Sequence, residues 1–133
     1  MKSQIKVIQD IPMACVVKKG FPSVVAGKAF WELEQIVPLK GNKFYGVFDQ
    51  SKSQYKACIA ITSINKSAIQ DLQIGAVSKG PYACTTLKGN YHDIIRQIKP
   101  TFDVLATEYK PDPSRPSVEF YKRHTEVAVM LPI

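Results

Sequence analysis

Pro12-Met-Ala-Cys-Val-Val-Lys-Lys-Gly20 returns as Pro81-Tyr-Ala-Cys-Thr-Thr-Leu-Lys-Gly89. Pro, Ala, Cys, Lys and Gly recur in one register, 69 residues apart (Pro12 to Pro81), in a chain of 133 residues. The offset is about half the chain, so one supersecondary unit is used twice. Two such units side by side create a seam, and ligand sites favour seams because convergent side chains meet there in a concave surface.

The residues after each copy support the duplication. Pro22–Val37 reads as a helix entered through Gly20 and Pro22, a good first-turn residue, and left at Pro38. Its apolar stripe is Val25, Ala26, Ala29, Leu33, Ile36 and Val37; the second stripe is Tyr91, Ile94, Ile95, Ile98, Phe102, Leu105 and Tyr109. Shifted by the same offset the two agree in phase. Pro100, inside the second helix, predicts a kink or a split. Lys43–Asp49, Tyr55–Ile64, Ser117–Lys122 and Thr125–Pro132 have strand character, and the loop Lys110–Pro116, with three prolines, is neither helix nor central strand. Met1–Ile8 and Gln73–Ser78 extend the first and fifth strands. The expectation is α+β: two pseudo-symmetric βαββ modules, about 1–69 and 70–133, forming an antiparallel sheet with two helices and a ligand groove at the seam. Residues 1–133 form one domain.

Composition narrows the function. No apolar run reaches the roughly 20 residues needed to span a bilayer, and no signal peptide is visible, so no membrane partner is expected. Three cysteines without framework spacing suit a reducing cytoplasm. The net charge of +7 is spread along the chain, with Lys18-Lys19 and Lys122-Arg123 the adjacent basic pairs; nucleic acid is not an expected partner. There is no Gly-rich phosphate loop, HExxH, CxxC or nucleophile elbow. His92 and His124 lie apart, and Cys15 and Cys84 fill matching strand positions suited to small buried residues, so no metal and no cofactor is expected.

Glu119 stands out. In Ser117-Val-Glu-Phe-Tyr-Lys122, alternation puts Glu119 and Tyr121 on one sheet face. Either they form a solvated strand surface, or the carboxylate lies in an aromatic groove where it attracts a cation. Laying Tyr45–Phe48 over Val118–Tyr121 sets Gly46 at the place of Glu119, and a glycine there leaves space. Trp31 lies nearly opposite its helix's core stripe at about 100° per residue. It therefore overhangs the groove or is covered in a homodimer, unless it is simply exposed.

Gly80-Pro-Tyr-Ala83, Leu87-Lys-Gly-Asn-Tyr91 before a helix, Glu119-x-Tyr121, Thr125–Ile133 and Phe44–Asp49 together resemble the gyrase-inhibitor-like (GyrI-like) effector-binding domain family, over essentially the whole chain. The resemblance implies two βαββ modules about a pseudo-twofold axis and a groove for a small hydrophobic, often cationic ligand. It implies that Glu119 supplies the negative charge and that Tyr121, Tyr82 and Phe48 wall the pocket. The chain departs from the family's drug-responsive transcription regulators in having no DNA-binding module in these residues. Two alternatives stay open: a hydrolase of reactive electrophiles with Glu119 as general base, or a protein-interaction module of the gyrase-inhibitor type. A haem-binding variant of the fold would need an axial ligand, for which His92 is the candidate.

Overall fold

The computed structural model describes residues 2–133. The elements are β1 (Gln4–Ile8), β2 (Ile11–Lys19), α1 (Pro22–Glu34), β3 (Phe44–Asp49), β4 (Gln54–Ala60), β5 (Gln73–Val77), β6 (Gly80–Lys88), α2 (Tyr91–Glu108), β7 (Ser117–Arg123) and β8 (Glu126–Pro132). All eight strands pair antiparallel in one sheet, in the order β1-β6-β8-β7-β3-β4-β2-β5. The fold is α+β, as the repeat predicts.

The two halves match in detail. Gly20 and Gly89 both take a left-handed backbone, φ 132° and 139°, at the turn from strand into helix, where any other residue would be strained. Each is tied to the hairpin of its own half: the Gly20 amide donates to Ser53 O (2.7 Å) and the Gly89 amide to Thr125 O (3.1 Å). Pro12 and Pro81 accept equivalent bonds, from the Ile61 and Ile133 amides, each at 3.1 Å.

Two short strands depart from the expectation. The segment before Pro12 and the segment before Pro81 do not lengthen the strands after them. They form β1 and β5, and each crosses to the other half, β1 pairing with β6 and β5 with β2. The crossing is tied by Asp10, whose carboxylate accepts the Lys79 amide at 2.8 Å. Nor does Pro100 split the second helix: α2 runs unbroken from Tyr91 to Glu108. Pro100 faces solvent, so the carbonyl its ring leaves unbonded can be hydrated. The first helix stops at Glu34, three residues before Val37, because the Ile36 amide tightens onto Leu33 O (3.0 Å). β4 ends at Ala60 because the Asn65 side chain folds a turn there, accepting from the Thr62 amide (2.9 Å) and donating to Ala60 O (3.0 Å).

The helices cover one face of the sheet. α1 packs on β2 and β4, and α2 on β6 and β8, which leaves the central pair β3/β7 between them. Apolar clusters lie under each helix: Ala29, Leu33 and Ile59 under α1, and Ile94, Leu105 and Val129 under α2. The other face has no helix, yet Met13, Val77, Tyr82 and Val118 on it are all buried, so the sheet curls around them. Among the described residues no helix is long and apolar enough to cross a membrane.

Candidate functional site

The seam is the uncovered β3/β7 pair. Gly46 on β3 lies directly across from Glu119 on β7. Tyr55 on β4, one strand further out, reaches over Gly46 and donates its hydroxyl to Glu119 Oε1 at 3.0 Å. Tyr121, two residues along β7 on the same face, donates to the same oxygen at 2.6 Å. The arrangement needs glycine at 46 for space. A Cβ there would stand 2.6 Å from Glu119 Oε1 and would overlap the Tyr55 hydroxyl. Phe30 from α1 sets its ring edge-on to both phenols, with centroids 5.1 Å from Tyr121 and 6.1 Å from Tyr55.

Glu119 is 6% exposed, and no Lys or Arg pairs with it among the described residues. Burial raises its carboxyl above the ordinary glutamate value, while the two tyrosine hydrogen bonds work the other way. Tyr55 and Tyr121 are in turn pushed well above the usual phenol range, first by burial and then by the negative charge of Glu119. Both phenols therefore stay protonated at neutral pH and act as donors.

Above this triad lies an open cavity of about 400 Å³ between the C-terminal end of α1 and the N-terminal end of α2. Phe30, Phe44, Tyr91 and Tyr121 wall it; Glu34, Lys40, Lys122, Arg123 and His124 stand about its rim. Tyr91 and His124 approach with ring centroids 5.6 Å apart. Tyr121 thus has two roles, as a wall of the cavity and as a hydrogen-bond donor to the carboxylate behind that wall.

The candidate residues of the sequence divide. Glu119 and Tyr121 come together as strand alternation requires, but only Tyr121 lines the cavity, with Glu119 buried behind it. Phe48 lies on the same face, at the other end of β3, with its ring 5.9 Å from Phe21; it does not line the cavity. Tyr82 is on the opposite face of the sheet, buried, with its hydroxyl on Ser78 O (2.6 Å) and Arg115 over its ring at 4.9 Å. The sheet stands between it and Glu119, so one small molecule cannot touch both. Trp31 is 61% exposed on the outer side of α1 and does not overhang the cavity. His92, the haem-ligand candidate, is exposed beside Tyr91. Tyr55, Phe30, Phe44, Tyr91 and His124 join the site without having been candidates. Phe44 carries one signal in the sequence, its place two residues before the glycine on the same strand, whereas Tyr55 comes from the next strand. For Phe30, Tyr91 and His124 the sequence offers no cue, because their meeting depends on how two helices and a hairpin converge.

No family model matches the chain, and no curated protein matches its sequence. Solved structures do match its shape. An integron cassette protein from Vibrio cholerae superposes with a TM-score of 0.77 at 17% identity, over 98% of this chain and 94% of that one. A protein solved with bound tetraphenylphosphonium gives 0.68 at 14% identity, over 99% and 93%. A transcription-regulation protein from Staphylococcus aureus gives 0.66 at 12%, over 99% and 97%.

Proposed function

We propose that this chain, which has the GyrI-like fold, is a small-molecule-binding module that takes a hydrophobic cation in the seam above Glu119. The observation that carries the reading is a buried carboxylate with two neutral donors, no cationic partner among the described residues, and an aromatic-walled cavity beside it. A buried charge is costly unless paired. A ligand cation in the cavity, pressed against Tyr121, would supply the missing charge across that wall, and Phe30, Tyr91 and Tyr121 would add cation–π attraction and apolar contact. The structural neighbour bound to tetraphenylphosphonium supports the same ligand class. The rim carries Glu34 against three basic residues (Lys40, Lys122, Arg123), so its net charge opposes a cation at long range and contact with the aromatic walls must outweigh it.

The test is calorimetric titration of the protein with tetraphenylphosphonium and with neutral triphenylphosphine oxide. Glu119→Gln keeps the side chain's shape and removes its charge. It should weaken the cation by about tenfold to a hundredfold, the range for charge-assisted contacts, and leave the neutral compound within about twofold. Equal losses for both compounds, or for neither, would refute the electrostatic role.

A further inference from the structure

The unhelical face of the sheet carries a second cavity, larger than the seam, of about 790 Å³. This volume falls in the usual range for small-molecule sites, roughly 300–1,000 Å³. Its apolar floor comes from Ile8, Ile11, Phe120, Ala128 and Met130. Tyr45 and Phe120 lie across the β3/β7 pair from each other and stack nearly parallel, with centroids 4.7 Å apart and planes at 17°. One wall is the segment leading into β1. It is fixed there by the Thr85 hydroxyl, which donates to Lys2 O at 2.5 Å, and by Ser3, whose hydroxyl lies 2.9 Å from that of Tyr109.

Its polar chemistry has one sign. Lys2 and Lys6 are the charged residues on its walls, and no aspartate or glutamate lines it among the described residues. Both ammonium groups belong to exposed residues, and no carboxylate pairs with either among the described residues. Lys6 lies across from Tyr82 in the β1/β6 ladder, on the cavity side of the sheet. Its charge is felt at the Cys84 thiol on the neighbouring strand. Tyr45 also lines this face, and burial raises its phenol, so its hydroxyl stays protonated and can donate there. A water-accessible apolar floor beneath unpaired ammonium groups and hydroxyl donors is complementary to a molecule with an apolar body and one anionic end.

We propose that this face is a second ligand site, for an amphipathic organic anion, with the anionic head between Lys2 and Lys6 and the apolar body on the Tyr45–Phe120 stack. The two faces of one sheet then take ligands of opposite charge. The proposal does not rest on the seam reading, because the two sites share no lining residue.

Amide chemical-shift mapping of the whole chain with decanoate, and separately with decyltrimethylammonium, tests it. Decanoate should shift Tyr45, Thr85, Phe120 and Ala128 and bind about tenfold more tightly at these residues than the matched cation. The double variant Lys2→Glu, Lys6→Glu alters exposed positions, and its amide spectrum reports whether the sheet is intact. Reversing two exposed charges should weaken decanoate by about tenfold and reverse the preference between the two compounds. The milder pair Lys2→Ala, Lys6→Ala should give an intermediate loss and serves if the reversed pair disturbs the fold. Absence of decanoate binding at millimolar concentration, shifts confined to Phe30, Tyr91 and Tyr121, or affinity indifferent to both lysine variants would each overturn the site.

Discussion

Glu119 is held at a cost that pH can reveal. Burial lifts its carboxyl above 4.5, so ionisation is harder in the fold than in the unfolded chain. The stability tied to the protonated form is fully present below the unfolded value and is lost as pH rises through the folded one. Glu119→Gln should therefore raise the melting temperature at pH 7 and do little at pH 4. Thermal melts of the two proteins across this window check it; a variant less stable at pH 7 would mean that the tyrosine hydrogen bonds outweigh desolvation. Gly46 offers the complementary change. Its φ is unremarkable, so alanine fits the backbone, but the new Cβ collides with the Tyr55 hydroxyl and Glu119 Oε1. Tyr55 is fully buried and has little room to retreat. Gly46→Ala should cost about 1–3 kcal/mol, as overpacked sites do, measured by urea unfolding. The pairing of Glu119 with Tyr121 is legible from strand alternation. The part of Tyr55 is not, because its hydroxyl crosses an intervening strand, and a sequence shows neither strand order nor register. The family resemblance puts Tyr82 in the groove, yet Tyr82, Ala83 and Cys84 are all buried, so burial there gives no hint of which face a residue takes.

At the scale of elements, the sequence repeat foretells β2, β6 and both helices closely, since the shared proline and glycine fix the start and end of each strand. It does not show that β1 and β5 change partners, because a five-residue strand reads the same wherever it pairs. The proline-rich loop illustrates another limit. Arg115 pins it: Nη2 donates to Pro81 O (2.9 Å) and to Ile133 O (2.7 Å), and Nε pairs with Asp112 (3.1 Å). Ser114 and Arg115 together hold the Asp112 carboxyl down to about 2. Gly80, at φ 134°, leaves room for the guanidinium, since a Cβ there would stand 2.7 Å from Nη1. Arg115→Ala removes the donor to three main-chain oxygens (Lys79, Pro81 and Ile133) and the cation over Tyr82. The expected loss is about 2 kcal/mol, read by urea unfolding, while tetraphenylphosphonium affinity at the distant seam should change less than twofold. A large loss of affinity would show that the loop communicates with the groove.

For the whole molecule, the repeat accounts for the seam: two copies of one unit leave their central strand pair uncovered by either helix. Duplication supplies the groove, and the differences between the copies supply its chemistry, glycine on one side and glutamate on the other. The net charge of +7 bears on the second face more than on the first, since a basic molecule gathers anions at long range and must hold a cation by contact. Binding at the seam should also be linked to protons: a cation that binds ionised Glu119 should bind more tightly as pH rises through the folded pKa, with proton release below it. The most direct measurement is the location of tetraphenylphosphonium on the protein, by crystallography of the complex or by intermolecular NMR contacts. The phosphonium should lie in the seam, with phenyl groups against Phe30, Tyr91 and Tyr121 and the Glu119 carboxylate behind the Tyr121 wall. Density or contacts on the Tyr45–Phe120 face, or on the exposed side of α1 around Trp31, with the seam empty at saturation, would contradict it.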